Sequence, residues 1–210
     1  MHQQMDNVQR RLSAPTAETR AHAIGTMEVR AKDDGKKMLR GYALKFDQRY
    51  DVGWFSESIA PGALDLADMR DVRALMNHDP NFVLGRTTSG TLRLSMDETG
   101  LMYEIDLPDT QAARDLAVSV ERGDITQSSW AFSVYSADSG ERGETWENDY
   151  TVRTITRVGT IYDVSPVTYP ANPDTSVAKR CADGMKETDE QKQILNQRAT
   201  ELQALRAKLF

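Results

Sequence analysis

Short runs of β-branched and aromatic residues, separated by Gly, Pro, Asp and Asn, make up most of the chain between positions 24 and 167. Runs of this kind are typical of strands bounded by turns. The predicted strands are residues 26–30, 39–46, 72–78, 92–97, 101–107, 129–135, 151–156 and 160–164. The segment Asp97-Glu98-Thr99-Gly100 predicts a hairpin turn between two of them.

Two helices are predicted within the strand-rich region, at residues 62–69 and 110–122. The second has Thr110 or Asp109 as its cap and Gly123 after its end. Its apolar stripe consists of Ala113, Leu116, Ala117 and Val120. Strands dominate this order, which favours a β-barrel over an alternating βαβ sheet. The predicted fold class is mainly β with helices (α+β), a small closed β-barrel surrounded by helices.

Changes in composition divide the chain into four parts. Residues 1–22 are predicted to be a flexible, polar N-terminal arm, residues 23–173 the folded domain, and residues 174–190 a polar linker. Residues 191–210 predict a helix, with Leu195, Leu202 and Leu209 spaced seven apart. An isolated helix of this length is marginal in water. We therefore expect it to dock on a partner, on a second copy of the chain as a homo-oligomer, or on the folded domain.

Charge and hydropathy argue against several classes of protein. The net charge of -6 argues against a nucleic-acid binder, which needs a basic face. No apolar run approaches the roughly 20 residues that span a bilayer, and the first 20 residues lack the apolar stretch of a secretory signal. One cysteine, Cys181, cannot form a disulfide within the chain, which suits a reducing cytoplasm. Its polar surroundings favour an incidental surface thiol over a nucleophile.

The histidines restrict where catalysis could occur. His2 and His22 lie in or beside the polar arm, and His78 lies within the strand-rich region. Any Ser-His or Cys-His chemistry in the folded domain must therefore use His78, for which a structural histidine is the alternative. The Cys and His residues offer no pair at metal-ligand spacing, so we predict neither a metal nor a cofactor.

A strand that opens with two serines follows the second predicted helix. Trp130 and Phe132 alternate onto one face, and Ser129 and Ala131 share the other. Small residues beside Ser129 leave space for a substrate carbonyl, although serines that open an edge strand are common. The pattern therefore makes Ser129 a candidate nucleophile.

Asp163 lies in an apolar strand, where an isolated carboxylate is costly without a partner. Orienting an imidazole is one use for it. An ion pair with Arg153 or Arg157 is the alternative. Asp79 competes for the same role because it follows His78, but adjacent strand residues point to opposite faces.

In order and spacing, these segments resemble the prohead (capsid-maturation) serine proteases of tailed phages, distant relatives of the herpesvirus assembly protease. The resemblance runs from about residue 40 to residue 173. The motifs that carry it are Arg40-Gly41-Tyr42-Ala43, Ile59-Ala60-Pro61-Gly62-Ala63-Leu64, Asn77-His78-Asp79, Leu84-Gly85-Arg86, Gly123-Asp124-Ile125-Thr126 before Ser129, and Asp163-Val164-Ser165-Pro166-Val167.

The resemblance implies a herpesvirus-protease-like barrel and a Ser-His-acid triad. It places the nucleophile at Ser129, the base at His78 and the third member at Asp163. Many relatives carry Glu where this chain has Asp163. Gln127-Ser128 stands where Gly followed by Met is more usual.

The expected function is that of a serine endopeptidase. Its substrates would be the scaffold protein and the scaffolding segments of the capsid protein, cut in the host cytoplasm inside the immature capsid, and it would also process its own chain. The alternative is a non-catalytic assembly or scaffold module. An esterase is less favoured because no Gly-x-Ser-x-Gly elbow surrounds Ser129.

Overall fold

The computed structural model describes residues 17–22, 27–32, 35–137 and 139–169, together with Glu190 and Ile194. The predicted linker and C-terminal helix lie outside these ranges apart from those two residues, as does most of the predicted N-terminal arm. The described elements, in chain order, are β1 (Glu18–His22), β2 (Glu28–Ala31), β3 (Lys37–Lys45), β4 (Tyr50–Asp51), β5 (Ser56–Ile59), β6 (Arg73–Met76), β7 (Asp79–Arg86), β8 (Leu92–Met96), β9 (Gly100–Asp106), α1 (Gln111–Glu121), β10 (Gln127–Val134), β11 (Glu144–Glu147), β12 (Val152–Ile155) and β13 (Val158–Val167).

The strands form three sheets. A five-stranded sheet has the order β1-β10-β13-β6-β7, and the four-stranded sheets have the orders β11-β12-β5-β4 and β2-β3-β9-β8. Two pairings are parallel, β13 with β6 and β12 with β5. The other strand pairs are antiparallel. Strand β10 lies between β1 and β13, so both of its edges are hydrogen-bonded.

The prediction of a small closed β-barrel surrounded by helices is wrong. In the described part of the chain the three sheets are open, and the five-stranded sheet ends at β1 on one side and β7 on the other. One helix, α1, is present in the same ranges. Alternating apolar residues indicate where strands form, but closure depends on whether the outermost strands pair with each other, which the local pattern does not encode.

All eight predicted strands overlap observed ones, and five observed strands were not predicted: β1, β4, β5, β7 and β11. Four of these strands are at most five residues long. Strand β7 has eight residues and contains Phe82-Val83-Leu84, but it opens with Asp79-Pro80-Asn81, which is a turn signal. Strand β1, with the sequence Glu-Thr-Arg-Ala-His, falls at the end of the segment that we expected to be a flexible arm. Buried ion pairs hold it in place, as described below.

Helix α1 closely matches the predicted second helix. The Thr110 side chain accepts a hydrogen bond from the backbone N–H of Ala113, and the predicted apolar stripe is buried. Residues 61–66 form turns instead of a helix, and Asp68 forms an isolated β-bridge with Thr160. Gly62 has φ +82°, a left-handed conformation that cannot continue into a right-handed helix.

One hydrophobic core joins side chains from β3, β9, α1, β10 and β13, including Leu39, Tyr103 and Leu116. Within it the rings of Trp130 and Phe132 stack with centroids 3.7 Å apart. All residues of β10 from position 128 to position 133 are buried. Both faces of this strand are therefore packed, which fixes the position of Ser129.

Candidate active site

His78 lies in the tight turn that joins β6 to β7. Met76 pairs with Asp79, and the two residues between them, Asn77 and His78, have φ +55° and +58°. Positive φ at both positions is the pattern of a type I′ hairpin turn, and Asn and His adopt it more readily than most residues do. The predicted strand 72–78 therefore ends at Met76, and the turn projects His78 from the end of the sheet.

Hydrogen bonds tie this turn to the end of β13. The Asn77 N–H donates to the carbonyl oxygen of Pro166 at 3.0 Å. The Thr168 N–H donates to Asn77 Oδ1 at 2.8 Å, and Asn77 Nδ2 donates to Thr168 Oγ1 at 3.2 Å. The backbone that carries His78 is thus held against the strand that carries Asp163.

Asp163 lies in β13, between the strand before His78 and the strand of Ser129. It pairs with Arg73 of β6 and with Ala131 of β10. Its Oδ1 lies 2.6 Å from Nδ1 of His78. The hydroxyl of Ser165 donates to the same Oδ1 at 2.7 Å and is fully buried. Our sequence reasoning did not single out Ser165, although its position two residues after Asp163 places it on the same face of the strand.

Ser129 completes the arrangement from β10. Its Oγ lies 2.5 Å from Nε2 of His78, so the carboxylate, the imidazole and the hydroxyl form one continuous chain. The structure therefore brings all three predicted site residues together. An imidazole that donates to a carboxylate through Nδ1 can accept a proton from a hydroxyl through Nε2, the arrangement that activates a serine for attack on a carbonyl.

The neighbouring Ser128 is engaged elsewhere. Its hydroxyl shares a hydrogen bond of 2.7 Å with the hydroxyl of Tyr103. Burial raises the pKa of Tyr103 strongly, so this phenol stays neutral. Ser128 and Ser129, as adjacent strand residues, point to opposite faces. Of the two serines, it is Ser129 that contacts His78.

Strand β1 covers Ser129. The two strands are antiparallel, and Ala21 is the partner of Ser129 in their register. Ser129 Oγ lies 2.9 Å from the carbonyl oxygen of Arg20, and Ser129 has no exposed surface. The side chains of His78 and Asp163 retain 18% and 11% exposure, so part of the site still faces solvent.

Buried charges fix β1 to the rest of the molecule. Arg20 donates to both carboxylate oxygens of Glu57, at 2.8 and 3.1 Å. Arg153 donates to Glu18 at 2.7 and 2.9 Å, to Glu57 at 2.7 Å and to Glu144 at 2.6 Å. All five side chains are at most 4% exposed.

The pKa values of Glu18 and Arg153 follow from their buried, charged surroundings. Burial alone would raise the pKa of Glu18, but its hydrogen bond to Arg153 and the charges of Arg153 and Arg20 outweigh it and lower the pKa. Burial alone would lower the pKa of Arg153, and the surrounding glutamates, Glu18 foremost, raise it well above its usual value. The charged forms of Glu18 and Arg153 are therefore the stable ones in the folded chain.

The residues considered above as alternative partners of His78 and Asp163 form contacts with other side chains. Asp79 accepts hydrogen bonds from Asn81, not from His78. Arg153 pairs with the glutamates just described, and Arg157 lies over the ring of Tyr135, so neither forms the ion pair considered for Asp163. His2 and Cys181 lie outside the described residues, as does the side chain of His22.

Within the described ranges, no group of three or more His, Cys, Asp or Glu side chains is arranged to hold a metal ion. No helix in that part of the chain is long and apolar enough to cross a membrane.

Comparisons with protein families and with solved structures each found a similar protein or family. The solved structure of the bacteriophage T4 capsid assembly protease, gp21, is similar with a TM-score of 0.42 and 11% sequence identity, over 75% of this chain and 100% of that chain. No curated protein matches the sequence. Residues 25–191 match the model of the caudovirus prohead serine protease family, which is well over half of the chain. The chain therefore belongs to the caudovirus prohead serine protease family.

Proposed function

We propose that the chain is a serine endopeptidase with Ser129 as nucleophile, His78 as general base and Asp163 as the group that orients His78. Its substrates are the scaffold protein and the scaffolding segments of the capsid protein, cut inside the immature capsid. The observation that carries this proposal is the chain of contacts from Asp163 Oδ1 through the His78 ring to Ser129 Oγ, at 2.6 and 2.5 Å.

The chemistry is acyl transfer to water. Neutral His78 takes the proton of Ser129 as its oxygen attacks the scissile carbonyl, and it then gives this proton to the leaving amine. Asp163 holds the tautomer that leaves Nε2 free to accept, and its charge stabilises the imidazolium. The hydrogen bond from Ser165 keeps the carboxylate turned towards Nδ1.

The matched pair Ser129→Ala and Ser128→Ala tests the proposal. Purified wild type and both variants are incubated with the capsid and scaffold proteins of the same phage, and the products are identified by mass spectrometry. We expect wild type and Ser128→Ala to cut and Ser129→Ala to be slower by about 10⁴-fold or more. Cleavage by Ser129→Ala at the wild-type rate would refute the assignment. If none of the three forms cuts either protein, the alternative function, a non-catalytic assembly module, is favoured.

We also propose that the enzyme cuts its own C-terminal tail within residues 174–193, which lie outside the described residues apart from Glu190. The basis is the change to a polar, linker-like composition after Pro173, since exposed flexible segments are where proteases cut. Intact masses of wild type and Ser129→Ala after long incubation test this. Equal full-length masses, under conditions in which wild type cuts scaffold, would refute it.

A further inference from the structure

Strand β1 lies where a peptide substrate would bind. It is the outermost strand of the five-stranded sheet and pairs antiparallel with β10, the strand that carries Ser129. Extended peptides commonly bind by adding a strand to a sheet edge in this way, so that backbone hydrogen bonds supply affinity and side-chain pockets supply specificity. The position of β1 is thus that of a strand added to the edge of β10, with Ala21 opposite Ser129.

The carbonyl group of Arg20 faces the serine hydroxyl. Ser129 Oγ is in contact with the carbonyl oxygen of Arg20 at 2.9 Å and with His78 Nε2 at 2.5 Å. The hydroxyl has one proton for these two acceptors. When the proton is directed to His78, the serine oxygen keeps its lone pairs beside the Arg20 carbonyl group, and attack requires it to move from the carbonyl oxygen towards the carbonyl carbon.

Side chains outside β1 provide pockets for the residues around this carbonyl. Glu57 of β5 accepts two hydrogen bonds from the guanidinium of Arg20, and both side chains are almost fully buried. Arg153 of β12 donates two to the carboxylate of Glu18, two residues earlier. Paired bonds of this kind select both charge and geometry. Glu57 and Arg153 therefore form subsites for a basic and an acidic residue, respectively.

We propose that the enzyme cuts its own chain at the Arg20–Ala21 peptide bond. The proposal rests on the proposed function, because it uses the same Ser129 and His78, and it adds how this bond is recognised: Arg153 binds the acidic residue at position 18 and Glu57 binds the arginine at position 20. Removal of residues 1–20 would uncover the edge of β10 and make Ser129 accessible to other substrates.

The reaction is a hydrolysis in two steps. Ser129 Oγ bonds to the carbonyl carbon of Arg20 while its proton passes to His78 Nε2. The bond from that carbon to the nitrogen of Ala21 breaks, and the nitrogen takes the proton from His78. Water then attacks the ester through the same base, which releases residues 1–20 with a C-terminal carboxylate on Arg20 and restores the hydroxyl of Ser129.

The first test uses full-length protein. Wild type and Ser129→Ala are incubated and followed by intact mass and N-terminal sequencing. We expect a new N-terminus at Ala21 in wild type alone. The sequence provides an internal control, since Glu28-Val29-Arg30-Ala31 has the same pattern but lies in β2, paired with β3 and half-exposed. No cut after Arg30 is expected, because that bond does not lie at Ser129.

The second test avoids any variant that alters the buried cluster. Enzyme that has already processed itself is given a synthetic peptide with the sequence of residues 14–26, or the same peptide with Arg20→Gln or with Thr19→Ala. A site built to pair a buried charge rejects a ligand that lacks it, so we expect kcat/KM to fall by about 100-fold or more for Arg20→Gln. The Thr19→Ala peptide should stay within about threefold of the parent peptide, because no pocket described above pairs with the Thr19 side chain.

Two results separate the failure of this inference from that of the proposed function. If wild type cuts scaffold or capsid protein through Ser129 while its own Arg20–Ala21 bond stays intact, the self-cleavage proposal is refuted and the proposed function remains. If wild type cuts nothing and a fluorophosphonate probe does not label Ser129, both are refuted. Equal cleavage of the parent and Arg20→Gln peptides would refute the role assigned to Glu57.

Discussion

The hydroxyls of Tyr103 and Ser128 lie 2.7 Å apart in buried surroundings, and the absence of a side chain at Gly41 makes room for them. A Cβ atom at position 41 would approach the Tyr103 hydroxyl to 2.9 Å and its ring carbon Cζ to 3.1 Å. Gly41 belongs to the Arg40-Gly41-Tyr42-Ala43 motif. Its role is thus to leave space for the hydrogen bond that engages the serine beside Ser129.

Gly41→Ala should destabilise the protein by about 1–3 kcal/mol through overpacking. Tyr103→Phe should cost about 1–3 kcal/mol, because it leaves the buried Ser128 hydroxyl without its partner. The double variant Gly41→Ala/Tyr103→Phe should cost less than the sum, because the clashing hydroxyl is gone. Urea unfolding of the three variants in a Ser129→Ala background measures this. Strict additivity would show that Gly41 is required for some other reason.

Asp163→Asn should reduce kcat by up to about 10⁴-fold, because an amide can hold the wrong imidazole tautomer. Ser165→Ala should reduce kcat by roughly tenfold and leave KM unchanged, because Ser165 positions the carboxylate at 2.7 Å and makes a longer contact of 3.4 Å with His78 Nδ1. Steady-state kinetics with a peptide substrate measure kcat and KM for both variants. In the Asp163→Asn background Ser165→Ala should have little further effect; a full tenfold loss there would show that Ser165 acts independently of Asp163.

Asn77→Val should lower both kcat and the melting temperature, because a β-branched residue is strained at φ +55°. Asn77→Gly is the matched control, since glycine adopts this conformation freely and loses only the hydrogen bonds to Thr168. We expect the kcat of Asn77→Gly to exceed that of Asn77→Val by at least about tenfold. Similar kcat values for the two variants would mean that the turn conformation does not govern the position of His78.

Glu18→Gln should destabilise the protein by about 3 kcal/mol at neutral pH, because it leaves buried arginines short of a negative charge. The pKa of Glu18 in the folded chain lies below its ordinary value of 4.5, so its ion pairs stabilise fully above that pH and are lost as the pH falls through the folded-state pKa. The difference in the free energy of unfolding between wild type and Glu18→Gln should therefore become smaller in acid.

Denaturant unfolding from pH 7 to pH 3 measures this difference in the free energy of unfolding. Both proteins carry Ser129→Ala, which prevents self-cleavage. Glu28→Gln is the control, because the ion pair of Glu28 with Arg30 is half-exposed and contributes little at any pH. If the difference between wild type and Glu18→Gln stays constant down to pH 3, the lowered pKa of Glu18 is contradicted.

The three predicted site residues could be found in the sequence because few residues competed for each role. His78 is the one histidine in the strand-rich region, and an aspartate in an apolar strand needs a partner. The family resemblance then separated Ser129 from Ser128. Their catalytic roles remain a prediction, but the structure places the three side chains in contact.

What the sequence did not reveal depends on partners far along the chain. Glu18 and Arg153 are 135 positions apart, and nothing near Glu18 indicates that it is buried. The residues of strand β1 were accordingly predicted to be part of a flexible N-terminal arm. The predicted closed barrel was wrong for a related reason, since strand patterns identify strands but not which of them lie at the edges of a sheet.

The order in which the site residues are synthesised has a consequence for the nascent chain. His78 and Ser129 are 51 positions apart, His78 and Asp163 are 85 apart, and β13 is the last described strand. Pairings between such distant segments form late, since loop closure must precede them. A ribosome-bound chain that ends before β13 thus has its serine and histidine but lacks the aspartate that contacts the imidazole, so the three side chains can meet only after residue 163 has been added.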